Sequence, residues 1–284
     1  MTIHLEFSTP PEFSLWPLLR PSPGLAPGEQ VPAMSAVLHD LEAPDPAVYQ
    51  QCCGSPGGSE LPMACPHILA SPLHMALISH PAFPLPAMGL VHVSNRILQH
   101  RPIQTGERLT VHCTTGEQRP VRQGLELDVD TRMESQGQTV WESTSTVLSR
   151  GVKGTGGPRP QQPLPLTTSL RRSTCWRLPA DLGRRYSRVS GDFNPIHFTA
   201  WTARLFGFKQ AIIHGMWTLA RALSELDADL PREGVEAVVE FRRPVFLPSR
   251  PTFLSTHTDQ GSQFQLLDPR RGKVLVQGRV HPAS

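Results

Sequence analysis

The chain has 284 residues, of which 38% are hydrophobic and 18% charged, and its formal net charge at pH 7 is +3. This length is enough to bury a sizeable core, and it suits one large domain or two domains of ordinary size. The low charge content argues against disorder driven by charge repulsion, and the small net charge argues against a nucleic-acid-binding protein.

The cysteines and the hydropathy pattern indicate a reduced protein of the cytoplasm. The five cysteines are odd in number and lack the paired spacing of zinc ligands. The first residues, MTIHLEFSTPPEF, have neither a basic region nor an apolar region, so we expect no secretory signal. No apolar run approaches the ~20 residues that a membrane span needs. We therefore expect a soluble, cytoplasmic protein with no metal and with neither membrane nor nucleic acid as a partner.

The first half of the chain, residues 1–150, predicts a helix followed by an antiparallel meander. The segment HILASPLHMALISH, after Pro66, is typical of a buried helix. Segments with strand-like composition follow it, separated by turns rich in Gly and Gln. These predicted strands are residues 89–98, 108–115, 124–135 and 139–150.

A linker is predicted at residues 151–168, GVKGTGGPRPQQPLPLTT. Its four glycines and four prolines disfavour any regular element. It separates the first half from a second half, residues 169–284, and each half has the size of an ordinary domain.

The second half repeats the order of helix and meander. After a short helix around residues 181–186 and a helical segment at 198–208, a longer helix is predicted from Gly215 to a stop at Pro231 and Gly234. Strands at 235–241, 251–258, 262–268 and 273–281 follow it. The same order in both halves predicts two copies of one α+β unit.

The strongest functional signal is YSRVSGDFNPIH, residues 186–197. Gly191 permits a tight turn before Asp192. Asn194 can cap the helix that Pro195 opens, since proline is well tolerated at the first helical position. Asp192 and His197 are then held on one short, stiff segment. Clusters of this composition also cap helices that have no chemical role.

A second signal is the pair His214-Gly215 at the start of the predicted long helix. Glycine there lets a ligand approach a backbone amide, which the positive end of the helix dipole reinforces. Glycine is also common at helix starts that bind nothing. Together with Asp192 and His197, an amide donor suits the addition of water to a double bond conjugated to a thioester.

Residues 186–216, YSRVSGDFNPIHFTAWTARLFGFKQAIIHGM, closely resemble the hydratase motif of MaoC-like proteins, the family of R-specific enoyl-CoA hydratases and related dehydratases. FRRPVFLPSR resembles a later strand segment of the same family. The resemblance implies a hot-dog fold with Asp192 and His197 as catalytic residues. It further implies that Asn194 orients the site, that the Gly215 amide faces the thioester oxygen, and that no metal or redox cofactor takes part.

Residues 66–97 are similar to the amino-terminal half of the double-hot-dog members of this family, although they lack the Asp-x-Asn-Pro-x-His pattern. The expected fold is therefore an α+β double hot-dog, with two long central helices, each wrapped by an antiparallel sheet. By analogy, the half without the motif widens the acyl tunnel. Leu223 replaces a serine of some relatives, and Gln210-Ala211 replaces a proline, which leaves the shape of the substrate pocket open.

Further residues are weaker candidates. Arg242 and Arg243 suit the phosphates of CoA, although a solvated strand edge accounts for them equally well. Tyr186 and His214 are candidate substrate contacts. Three histidines of the first predicted helix have poor spacing for metal ligands, and we expect them to pack or to lie at the surface. They are His67, His74 and His80.

The predicted function is the reversible hydration of trans-2-enoyl-CoA to (R)-3-hydroxyacyl-CoA, without a cofactor. Dehydration of 3-hydroxyacyl groups on acyl carrier protein (ACP), or of a short dicarboxylic acyl-CoA, is the alternative within enzymes. A non-catalytic acyl-CoA-binding subunit is an alternative of another class, although it would not need Asp192, Asn194 and His197 together. Thioester hydrolysis shares the fold but does not need the motif. The expected partners are acyl-CoA or acyl-ACP and a second copy of the chain.

Overall fold

One sheet of eleven strands runs through the part of the chain that the computed structural model describes, residues 2–12, 22–26, 28–150, 152, 156 and 172–283. All neighbouring strands are antiparallel except the first two. The strands are β1 Ile3–Phe7, β2 Met34–Glu42, β3 Leu90–Gln99, β4 Arg108–Val121, β5 Gly124–Ser135, β6 Gln138–Ser149, β7 Arg172–Cys175, β8 Val235–Phe241, β9 Thr252–Thr258, β10 Gly261–Leu267 and β11 Val274–Pro282.

The strand order shows where the two halves meet. It is β1-β2-β4-β5-β6-β3 for the first half and β8-β11-β10-β9-β7 for the second. The halves join where β3 pairs with β8, from Ser94 opposite Glu240 to Gln99 opposite Val235. Two half-sheets therefore form one continuous sheet. Each half supplies a strand that pairs with the backbone N–H and C=O groups at the edge of the other half.

Two helices lie at the centre of the halves. They are α2, Pro66–Ser79, and α5, Gly215–Leu226. The remaining helices are α1 Ala47–Cys53, α3 Leu182–Ser190 and α4 Ala200–Arg204. One hydrophobic core includes buried side chains of both central helices and of both half-sheets. In α5 the apolar positions at three- and four-residue spacing are all buried, as the sequence pattern predicts. These positions are Met216, Leu219, Ala220, Leu223 and Leu226.

The structure confirms most predicted elements and corrects several boundaries. Pro66 is the first residue of α2 rather than the residue before it. The long helix ends at Leu226, where a 3-10 turn takes over, and so stops short of Pro231. The helical segment predicted at 198–208 shortens to α4. Four elements had no recognised signal in the sequence: β1, β2, α1 and β7.

The predicted linker at 151–168 lies outside the described residues except for Val152 and Gly156. The division of the chain into 1–150 and 169–284 therefore stays a prediction. Within the described segments, the helices are all too short or too polar to cross a lipid bilayer.

The junction of β3 and β8 gives a test of the joined sheet. Ile97 in β3 is fully buried and lies opposite Ala237 in β8. Ile97→Ala removes packing at this junction, so we expect it to lower the free energy of unfolding by about 2–5 kcal/mol, measured by urea denaturation. The neighbouring Arg96 is exposed and pairs with Glu236, so Arg96→Ala is the matched control, with an expected loss below about 1 kcal/mol. Equal effects of the two substitutions would contradict a packed junction.

Candidate active site

The loop after α3 has the geometry that its sequence predicts. Gly191 ends α3 in the left-handed region, with φ of 72°. The Asn194 side chain then accepts a hydrogen bond from the Ile196 N–H at 3.3 Å and caps a 3-10 turn, Pro195–His197. The short turn brings Asp192 and His197 to the same side of the loop.

One carboxylate oxygen of Asp192 accepts a backbone hydrogen bond, and the other faces two histidine rings. Its Oδ1 accepts a hydrogen bond from the Asn194 N–H at 3.0 Å. Its Oδ2 lies 3.8 Å from His197 Nε2 and 3.7 Å from His214 Nε2. Burial raises the pKa of this carboxyl, but His214, His197 and the Asn194 N–H together outweigh it and leave the pKa below its ordinary value. Asp192 is therefore ionised at neutral pH.

His197 is neutral and its tautomer is fixed. Its Nδ1 lies 2.8 Å from the Ile212 carbonyl oxygen, which only accepts, so Nδ1 carries the proton. Burial lowers the pKa of the ring, against the opposing effects of Asp192 and Ile212. The lone pair on Nε2 therefore faces Asp192 Oδ2. Two acceptors 3.8 Å apart suit one water molecule that donates a proton to each, since such hydrogen bonds are about 2.8 Å long.

His214 contacts both Asp192 and His197. Its ring stacks on His197 with 3.5 Å between centroids. Its Nε2 lies 3.2 Å from the Asp192 carbonyl and 3.5 Å from Ser187 Oγ, whose own proton goes to the Gly183 carbonyl. Both neighbours accept, so Nε2 of His214 carries a proton. Burial lowers the pKa of this ring to about 3.

The same three side chains have the composition of a metal site. One ligand atom from each of Asp192, His197 and His214 lies within 4.8 Å of the others. Zinc accepts histidine and carboxylate ligands, but each histidine must offer a lone pair. Nε2 of His214 directs its proton at the Asp192 carbonyl, so it offers none at this point. The donor chemistry favours acid–base use, and the absence of a metal stays a prediction.

Gly215 lies at the first position of α5, and none of the described side chains caps this helix start. A Cβ at Gly215 would lie 3.0 Å from Cζ of Phe241 in β8. The sequence suggests two reasons for this glycine, the approach of a ligand and the frequency of glycine at helix starts. The packed Phe241 ring is a further reason for it, so substitution of Gly215 also disturbs packing.

A single cavity of about 640 Å³ is lined by residues of both halves of the chain, and it includes all the predicted site residues, which belong to the second half. Arg242 and Arg243 are exposed at its rim. Tyr186 is buried beside His214, with ring centroids 5.0 Å apart. Burial raises the pKa of its hydroxyl. The predicted residues that line the cavity are Tyr186, Asp192, Asn194, His197, His214, Gly215, Arg242 and Arg243.

Three further histidines of the cavity wall were missed. His67 and His74 lie on α2 and His92 lies on β3, and all three line the cavity. The sequence predicts packing or surface roles for His67 and His74 in place of metal ligation, and a place in the wall of a substrate cavity was not among the alternatives. Their spacing of seven, two turns of a helix, was the available signal, because it places both rings on one face. His80 follows α2 and is not among the residues that line this cavity.

Comparison with known proteins identifies the family. The MaoC like domain matches residues 153–277. The 3-hydroxyacyl-thioester dehydratase X of Mycobacterium tuberculosis is 33% identical over 267 residues, covering 90% of this chain and 93% of that protein. Dehydratase Y of the same organism is 30% identical over 169 residues, covering 55% of this chain and 58% of that protein. The chain belongs to the MaoC-like dehydratase family and is a hydro-lyase.

Solved structures agree with the predicted fold. The crystal structure of HtdX from M. tuberculosis matches with a TM-score of 0.76 and 30% identity, over 87% of this chain and 99% of that one. A MaoC-like dehydratase from Phytophthora capsici matches with a TM-score of 0.73 at 18% identity, over 90% of this chain and 96% of that one, which bears on the fold alone. The α+β hot-dog class expected from the sequence is confirmed.

The buried histidines predict how stability depends on pH. Burial lowers the pKa of His67 to about 4 and those of His92 and His214 to about 3. Histidines of the unfolded chain titrate near ~6.5, so below that pH the unfolded state binds more protons than the folded state. The free energy of unfolding should therefore fall as pH is lowered from 7 toward 4. Urea denaturation at several pH values measures this dependence.

A variant separates the buried rings from the other titrating groups. His92→Leu removes one group whose pKa changes on folding, so its stability should fall less steeply between pH 7 and pH 4. The half-exposed His100 pairs with Glu142 at the surface, and His100→Leu is the control. A wild-type stability that stays constant over this range would show that these rings are not buried neutral.

Proposed function

We propose that the protein catalyses the reversible hydration of a trans-2-enoyl thioester to the (R)-3-hydroxyacyl thioester, with Asp192 and His197 as its acid–base pair. One observation carries this assignment. Asp192 Oδ2 and the unprotonated Nε2 of His197 face each other across 3.8 Å at the wall of one cavity. Two opposed acceptors fix both protons of a water molecule, so its oxygen lone pair is free to attack.

The proposed reaction balances with these groups alone. The water oxygen forms a bond to the β-carbon, and one water proton passes to Asp192 or His197. The double bond shifts toward the thioester carbonyl, and a proton from the pair then reaches the α-carbon. The pair ends the turnover in its starting state. The hydroxyl group and the α-proton both come from the face of the double bond on which this pair lies, so the hydration is syn. No cofactor is required.

Charge that develops on the thioester oxygen needs a donor. Gly215 is the first residue of α5 and lines the cavity that contains Asp192 and His197. The first amides of a helix have no intrahelical acceptor, and the helix dipole favours negative charge there. We assign the Gly215 N–H to the thioester oxygen, where preorganised donors make large contributions to catalysis.

The cavity also suggests how a thioester is bound. Apolar side chains of the first half, including Ile68, Met75 and Ile78, line it and suit an acyl chain. Arg242 and Arg243 at its rim suit the phosphates of CoA or of the phosphopantetheine arm of ACP. The relatives named 3-hydroxyacyl-thioester dehydratase support a thioester as substrate.

The alternatives of other classes have less support. A subunit that only binds acyl-CoA gains nothing from an ionised carboxylate opposed to a neutral imidazole. Thioester hydrolysis is suggested only by likeness of fold, as in the 12:0-ACP thioesterase of Umbellularia californica, at 12% identity and a TM-score of 0.54.

The acid–base pair can be tested directly. Asp192→Asn and His197→Gln should each lower kcat by roughly a hundredfold or more, the usual size of such a contribution. The measurement is the loss of enoyl absorbance with crotonyl-CoA and longer enoyl-CoAs. Thermal unfolding reports whether each variant folds, and the surface variant His100→Gln is the control. A well-folded Asp192→Asn or His197→Gln with near-normal kcat would remove that residue from the pair.

The rim arginines are tested by the choice of carrier. Arg242→Ala combined with Arg243→Ala should raise KM for an enoyl-CoA severalfold, because two exposed ion pairs between arginine and phosphate are lost. This rise in KM should be smaller at high salt. The enoyl-pantetheine has the same acyl group without the phosphates, so its KM should not change. The exposed Arg108, which pairs with Glu42 on the first half, gives the control Arg108→Ala. An equal rise in KM for both substrates would contradict phosphate binding.

A further inference from the structure

The histidines His67, His74 and His92, here called the histidine trio, form one group in the wall of the cavity. The ring centroids of His67 and His74 are 5.2 Å apart. The rings of His67 and His92 are nearly parallel, with 5.9 Å between centroids and 16° between planes. α2 supplies two rings and β3 the third, so the trio belongs wholly to the half that lacks the hydratase motif.

The hydrogen bonds of the trio are incomplete. His74 Nε2 bonds Thr131 Oγ1 at 2.8 Å. Nδ1 of His67 and Nε2 of His92 are buried, and neither has a hydrogen-bond partner among the described residues. Buried polar atoms are normally paired, because an unpaired one loses its hydration without compensation. A wall that served only to bind an alkyl chain would be more stable with apolar side chains at these positions.

The trio is uncharged at neutral pH. Burial lowers the pKa of His67 to about 4 and that of His92 to about 3, and it lowers the pKa of His74 well below its ordinary value. A neutral imidazole offers one N–H donor and one lone pair. Such rings suit a hydroxyl or a carbonyl group better than a carboxylate, which needs a cationic partner when buried.

The trio lies close to the proposed chemistry. The charge of Asp192 acts on the pKa of both His67 and His92. The ring of His92 meets Phe241 edge-on at 5.0 Å, and Phe241 in turn covers Gly215. These rings therefore lie in the wall of the same cavity, beside a substrate held between Asp192 and the Gly215 amide.

We propose that the histidine trio is a polar subsite that hydrogen-bonds a neutral oxygen, in a hydroxyl or carbonyl group, on the acyl chain of the substrate. The enzyme would then select oxygenated 2-enoyl thioesters over plain ones of equal length. This inference rests on the proposed hydration. The carbonyls of the pantetheine arm offer the same chemistry, so the test must separate the two sources.

The first experiment needs no variant. Wild-type kcat/KM is measured for enoyl-pantetheine thioesters of one length, either plain or with a keto or hydroxyl group at successive positions beyond the double bond. At one position the oxygenated substrate should exceed the plain one by about tenfold or more, the size of one or two hydrogen bonds in a desolvated site. A terminal carboxylate should react more slowly than either. The arm is the same throughout, so equal kcat/KM for every member overturns the subsite and assigns the rings at most to the arm.

Variants then locate the preference. His67→Leu and His92→Leu should abolish the preference for the oxygenated substrate while they retain or raise kcat/KM for the plain one. His80→Leu, outside the cavity, should leave the ratio unchanged. A variant that lowers kcat/KM equally for the oxygenated and the plain substrate has only a structural effect. That result would show that the histidine trio is not the source of the preference. Failure of every thioester to react would overturn the hydration itself, whereas equal reaction of all members overturns only the subsite.

Discussion

The pairing of β3 with β8 is the contact on which the site depends. Each half-sheet alone would expose an edge of unpaired N–H and C=O groups at this point. The pairing satisfies them over Ser94–Gln99 and Val235–Glu240, with Ile97 buried at the junction. It also fixes β3 beside β8, so His92 meets Phe241. One cavity can then be lined by both halves, because the antiparallel pairing of the sheet continues across the junction.

Burial determines the electrostatics of this cavity. Five histidines line it, and burial lowers the pKa of each. The carboxylate of Asp192 keeps a depressed pKa because it faces two of those rings and accepts the Asn194 N–H. An ionised acid beside neutral bases is the arrangement that proton transfer at neutral pH requires. The neutral rings cost stability as the pH falls, whereas a histidine with the same pKa in the folded and unfolded states adds no such dependence.

The parts of the site that depend on local rules were predictable. Asn194, Pro195 and Gly191 follow capping and turn preferences, so the shape of the Asp192 loop could be read from neighbouring residues. The Phe241 ring over Gly215 and the meeting of His92 with His67 could not, since each joins a strand to a helix far away in the sequence. β1 has the alternation of apolar and polar residues that is typical of a strand, IHLEF, so a local signal was available there, whereas pairing with a distant strand determines a short exposed element such as β7.

The two central helices differ at their first residue, and this difference bears on the role proposed for the Gly215 amide. Both begin at the cavity, where His67 is the second residue of α2 and His214 directly precedes α5. The first position of α5 is Gly215, which has no side chain and whose N–H has no hydrogen-bond partner among the described residues. The same position of α2 is Pro66, which has no N–H at all. The first half therefore cannot offer the first helical amide to a thioester oxygen, whatever loop precedes it. The start of α2 instead places the His67 ring in the cavity wall, where we propose that it contacts the acyl chain.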